Sequence, residues 1–145
     1  MKKYAVLSFL ILVPFYGLCK ATEELVRSMI PGGSVRQEMS TDFTVRTIAG
    51  TKVMVEFDQQ GSLDEASGLN LGSGDIFEPG EGLLSLETTA RKLTEQGHKV
   101  RGLWRLEKDL HARWYYELQV RSELEDTFLQ VDARSAKVFT PSPSP

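Results

Sequence analysis

One cysteine, Cys19, and two histidines, His98 and His111, are all that the chain of 145 residues offers to thiol or imidazole chemistry. A single cysteine closes no disulfide within the chain. Two histidines, one past a predicted helix end and one in a predicted turn, do not form the converging set that a zinc site or an acyl-transfer triad needs. Both read as solvated loop side chains. Basic clusters are also missing. Lys and Arg number 17 against 20 Asp and Glu, for a formal charge of −3. Nucleic-acid binding requires clustered positive charge, and anionic membrane surfaces select for it as well. Gly72-Ser73-Gly74 is not followed by the Lys-Ser/Thr of a phosphate loop. Asp64, Glu65, Asp75, Glu78 and Glu81 do not fall at calcium-loop spacing. No serine sits in a nucleophile motif, so no catalytic residue, metal or cofactor is assigned.

What is present begins with an export signal. Met1-Lys2-Lys3 is basic, and Tyr4–Leu18 is uncharged and mostly apolar. Those 15 residues fall short of the roughly 20 that span a bilayer. Pro14 within them disfavours a spanning helix. The pattern is that of a secretory signal cut after Ala21. Lipidation at Cys19 is disfavoured by the bulky Leu18 before it. Cleavage leaves 124 residues without cysteine, one domain by length, whose stability must come from a core. Losing Lys2, Lys3 and Lys20 leaves 14 basic against 20 acidic residues, a charge of −6. The expected location is periplasmic or secreted, with no stable membrane span after cleavage.

The rest divides into two similar stretches. In 22–66, Thr22 is the expected cap of a short helix with Leu25, Val26, Met29 and Ile30 on one stripe, ended by Pro31-Gly32-Gly33. A weak strand over Ser34–Met39 follows. Two period-two runs around Phe43–Ile48 and Val53–Asp58, joined at Ala49-Gly50, predict a hairpin. Residues 67–83 are rich in glycine and acid and read as a solvated linker, with one short strand just before it at Ser62–Glu65. In 84–140, Ser85 caps a second helix carrying Leu86, Ala90 and Leu93, and Gly97 ends it. Three alternating runs follow, around Val100–Glu107, Trp114–Arg121 and Phe128–Asp132. Residues 141–145 alternate Pro and Ser and are expected to be disordered.

Val35-Arg36 answers Val100-Arg101, Phe43–Ile48 answers Tyr115–Val120, and Phe57-Asp58 answers Val131-Asp132. A tandem repeat is therefore expected. Lys99-Val100, the Tyr-Glu-Leu-Gln-Val run at 116–120 and the stretch Val131-Asp132-Ala133-Arg134-Ser135-Ala136-Lys137-Val138 carry a resemblance to the PepSY domain. That family occurs in propeptides of secreted metallopeptidases and in small exported bacterial proteins. Ala136 stands where the family commonly has a glycine, which would supply a positive φ for the turn. The resemblance covers about 55 residues well and the first stretch faintly. It implies an α+β fold, a helix on a three-stranded antiparallel sheet repeated twice. It also implies a non-catalytic protein that binds or modulates another envelope or secreted protein, such as a peptidase. The alternative is a small-ligand-binding or structural accessory of the envelope, with a cavity lined by both halves.

The strand phases separate two sets of aromatic residues. Trp104, Trp114 and Tyr116 share the apolar phase and are expected in the core. Leu103, Arg105, Tyr115 and Phe128 fall on the opposite phase. They are the candidate partner face, unless the first unit's sheet packs over them.

Overall fold

The computed structural model describes residues 22–142. The export signal, its cleavage point, the Cys19 question and residues 143–145 of the tail lie outside the described residues. A first helix, α1 (residues 22–29), is followed by β1 (Ser34–Gln37), β2 (Asp42–Arg46), β3 (Lys52–Phe57) and β4 (Leu63–Leu71). A second helix, α2 (Leu86–Glu95), then leads to β5 (Lys99–Lys108), β6 (Trp114–Arg121) and β7 (Asp126–Asp132). Among the described residues no helix is long and apolar enough to cross a membrane. Thr22, the expected cap, lies inside the helical stretch.

All seven strands form one antiparallel sheet in chain order, β1 to β7. This corrects the expected fold class, since the described residues form a single, mostly β, seven-stranded meander with two helical segments. Two separate three-stranded sheets do not form because β4 pairs with β5, as Ala66↔Leu106, Ser67↔Arg105 and Gly68↔Trp104. Residues 67–71, expected in a linker, are the second half of β4. The rest of that stretch is an ordered crossover, with Phe77 and Asp75 buried. Its backbone is stitched down by Glu78 N–H to Met29 O at 2.8 Å, Leu84 N–H to Ala133 O at 2.8 Å and Leu86 N–H to Phe77 O at 2.9 Å.

Period-two alternation gives the sheet a dry face and a wet face. Phe43, Val55, Ala66, Leu106, Tyr116 and Val131 form one register row of the dry face. Val45, Val53, Gly68, Trp104, Leu118 and Leu129 form the next. Val26, Met29 and Ile30 from the first helical segment and Leu86 and Leu93 from α2 join the same core. Trp104 and Tyr116 are core residues as expected, and Trp114 packs at the margin with the Lys108 ammonium 5.0 Å from its ring centre. Ser85 caps α2 as expected, its Oγ accepting from Thr88 N–H at 3.1 Å.

Aspartates close the turns. Asp58 Oδ1 accepts from Gln60 and Ser62 N–H, Asp109 Oδ1 from His111 and Arg113 N–H, and Asp132 Oδ1 from Arg134 and Ser135 N–H. Ala136 has φ 59°, so the turn after Asp132 takes the positive φ with alanine in place of glycine. Pro141 and Ser142 belong to this arrangement. Ser142 N–H donates to Asp109 Oδ2 at 3.3 Å, and Leu110 N–H donates to Ser142 O.

Gly68 and Trp104 face each other across the β4–β5 joint, where the largest side chain lies over the smallest residue. Asp75 reaches the same point, its Oδ2 accepting from Trp104 Nε1–H and from Asn70 N–H, each at 2.8 Å. A Cβ at Gly68 would lie 2.3 Å from Asp75 Oδ2 and 2.4 Å from Trp104 Nε1. Gly68→Ala is therefore expected to lower stability by about 1–3 kcal/mol, as overpacking does. Asp75→Ala strands one buried and one part-buried donor and should cost on the order of 3 kcal/mol. Urea denaturation of the two variants checks both, and midpoints equal to the parent's would show that the joint does not carry this stability.

Candidate functional site

Both helices lie on one side of the sheet, so the opposite side carries no layer of this chain among the described residues. The two halves stand side by side in the same sheet, and the first half does not fold over the second. Three register rows cross this open face. The central row runs Arg36, Thr44, Met54, Ser67, Arg105, Glu117 and Gln130. On one side of it, Asp42, Glu56 and Glu65 are register partners, as are Glu107, Tyr115 and Asp132. This row is acidic at every position except Tyr115. On the other side Arg46 pairs with Lys52, Gln119 pairs with Phe128, and Leu69 and Leu103 lie between them.

The structure brings three of the four expected partner-face residues together. Leu103, Arg105 and Phe128 border a shallow depression of about 230 Å³ with Met54, Ser67, Leu69 and Glu117. Leu103 is 40% exposed and Phe128 47%. Leu103 is set outward at a bulge, where Gly102 has φ 103° and Gln119 Oε1 accepts from Leu103 N–H at 2.9 Å. A Cβ at Gly102 would meet that oxygen at 2.4 Å.

Tyr115 departs from the expectation. It lies on the open side but is only 8% exposed. Phe139 covers its ring edge-on at 5.7 Å, and its hydroxyl donates to Glu107 Oε1. Burial, and then that hydrogen bond, push the phenol well above its ordinary value. It is covered by this chain's own Phe139 and does not border the depression.

Sequence reasoning missed Met54, 52% exposed, and Leu69, 66% exposed. Met54 sat on the polar phase of the predicted hairpin, and that phase was the available signal. Leu69 falls in the stretch expected as a linker.

Charge on this face is unbalanced. Arg105 Nε lies 3.2 Å from Glu65 Oε1, and its Nη1 lies 3.9 Å from Glu107 Oε2. Glu117 is the register partner of Arg105, and Glu56 is the register partner of Glu65. Partial burial raises the Glu65 pKa above the ordinary glutamate value of 4.5. The Arg105 charge opposes this, and Glu56, Glu107 and Asp64 reinforce it. The ion pairs are half exposed and contribute little stability.

Among the described residues no group of three His, Cys, Asp or Glu could hold a metal ion. His98 and His111 sit apart, at the end of α2 and in the β5–β6 turn. Comparison with family models, curated proteins and solved structures finds no match to this chain.

The Glu65 shift has a definite sign. A carboxylate whose folded-state pKa is raised contributes most to stability below its ordinary value of 4.5 and loses that contribution as pH rises through the raised value. Glu65→Gln retains the neutral form at every pH. The variant should match the parent at acid pH and exceed it at pH 7. Denaturation midpoints at the two pH values check this, and a less stable variant at pH 7 would show that the Arg105 pair outweighs burial.

Proposed function

We propose that this chain is an exported, non-catalytic protein of PepSY type that binds or modulates another envelope or secreted protein, such as a peptidase, through the open face of its sheet. The observation that supports the reading is that face itself. Met54, Leu69, Leu103 and Phe128 are large, exposed and adjacent, with Arg105 among them and nothing of this chain's described residues over them. Clustered apolar surface rimmed by charge is the composition of an interface. The depression draws on both halves, as a small-ligand site between them would. At about 230 Å³ it is an open dish below the roughly 300–1,000 Å³ of small-molecule pockets, which favours a protein partner. The PepSY resemblance of 84–140 and the N-terminal export pattern supply the compartment and the kind of partner.

The test is quantitative capture from an envelope fraction with tagged protein, compared with Phe128→Ala and with Leu103→Ala/Arg105→Glu. These residues are exposed, so unfolding midpoints should shift by no more than about 0.5 kcal/mol. One exported protein should be retained by the parent and lost at least tenfold by both variants. Capture unchanged by the variants would remove this face from the function.

A further inference from the structure

The arrangement of charge on the open face narrows the partner. Leu69, Leu103 and Phe128 lie along one register row and Met54 on the central one, and the face's carboxylates, Glu117 on the central row excepted, lie along the row on the far side. Side chains on one face of a strand repeat every two residues, so neighbouring rows are about 6.7 Å apart. The acidic row and the row of Leu69, Leu103 and Phe128 are then about 13 Å apart, close to the roughly 10–12 Å width of an α-helix with its side chains. From β3 to β7 the face is about 19 Å across, the length of roughly 13 helical residues.

A second copy of this chain does not suit the pattern. Turning one copy over about an axis along the strands sets the acidic row against itself. Turning it about the cross-strand axis sets Leu69, Leu103 and Phe128 over Glu65, Glu107 and Asp132. The second choice sets Lys52 over Glu56 and Arg46 over Asp42, but both choices leave Glu65, Glu107 and Asp132 without an opposing cation. A basic, apolar segment meets both rows at once. Four carboxylates, Glu56, Glu65, Glu107 and Glu117, stand against two cations, Arg105 and Lys52, so this part of the face retains negative charge for a cation to neutralise.

We propose that the open face takes a cationic amphipathic helix of a partner protein, laid across β3–β7. Its apolar side rests on Met54, Leu69, Leu103 and Phe128, and its Lys and Arg side lies over Glu56, Glu65 and Glu107. This rests on the partner-binding reading above and specifies the chemistry of that partner. Recognition is of the helix-in-groove kind, with anchors at helical spacing and a flank of charge that fixes its direction.

The experiment uses the whole protein and three labelled synthetic 18-residue peptides: an amphipathic Leu/Lys helix, the same composition scrambled to destroy the apolar stripe, and the amphipathic helix with Glu for Lys. Fluorescence anisotropy reads affinity at two salt concentrations. The Leu/Lys helix should bind at least tenfold tighter than either control and weaken as salt rises. Phe128→Ser and Glu56→Lys should each weaken it at least tenfold, with unfolding midpoints unchanged; both residues are exposed. Equal binding of the scrambled or acidic peptide overturns the proposal, as does binding that both variants retain. A dimer in sedimentation that Phe128→Ser abolishes also overturns it, by giving the face to a second copy. If envelope capture depends on Phe128 while the Leu/Lys helix does not bind, the inference fails and the partner-binding reading stands. If capture and peptide binding are both indifferent to Phe128, both fail.

Discussion

The joint between β4 and β5 decides the architecture. Each half of the chain is a helix and a short meander, too small to form much of a core by itself. What makes them one sheet is the return of the chain, through the crossover and α2, to the free edge of β4. At the contact the Trp104 indole lies over Gly68 and donates to Asp75, which also accepts from Asn70. One buried carboxylate thus connects the last residues of β4, the start of the crossover and the middle of β5. Among the described residues Asp75 Oδ1 has no hydrogen-bond partner. A half-satisfied buried carboxylate is costly, so the joint is held against a local penalty by the packing around it, including Phe77, whose ring lies 5.6 Å from that of Trp104. Tyr116 extends the same tie, its hydroxyl donating to Leu84 O just ahead of α2.

A continuous sheet with both helices on one side has a consequence for the other side. Had the halves formed separate sheets, one could have packed on the other and hidden both polar faces. Side by side they cannot. The open face is therefore set by topology, and its residues must coexist with water. Mixed charge on most of it does so. The run of Leu69, Leu103 and Phe128 with Met54 does not follow that rule, and no feature of the core or turns requires those side chains to be large and apolar.

Much of this was legible from the residues, and the illegible part has a physical cause. The β2–β3 hairpin, α2 and the three C-terminal strands declare themselves through alternation, through Ser85 as cap and through Gly97 at φ 94°. The phase that puts Trp104 and Tyr116 inside and Leu103 and Phe128 outside is also readable, because period two fixes the face of every side chain in a strand. β4 was not. Its inward positions are Leu63, Ala66, Gly68 and Leu71, small at the centre because Trp104 fills the space from the next strand. Read alone, that glycine looks like a linker. Periodicity assigns faces but not neighbours, so two stacked sheets and one wide sheet predict the same alternation. The cover over Tyr115 was equally hidden, since it comes from Phe139 after the last strand.

The edges of the sheet sharpen the meaning of its open face. Unpaired strand edges invite association with other chains, and proteins blunt them. Here β1 is four residues long and carries Arg36, which pairs with Glu38 at 3.4 Å. At the other end the chain turns back along β7, with Val131 bridged to Val138, Asp132 N–H donating to Lys137 O and Phe139 N–H donating to Gln130 O. Both edges are short, charged or partly covered, so unspecific strand addition is restrained where it would be easiest. The apolar residues of the face have no comparable cover. Arg105, Glu117 and Lys52 lie beside them, and an ordered acidic row lies beyond on one side, which repels acidic surfaces while leaving the apolar strip accessible. Restraint at the edges together with selective exposure on the face is the arrangement expected of a surface that discriminates among partners by charge.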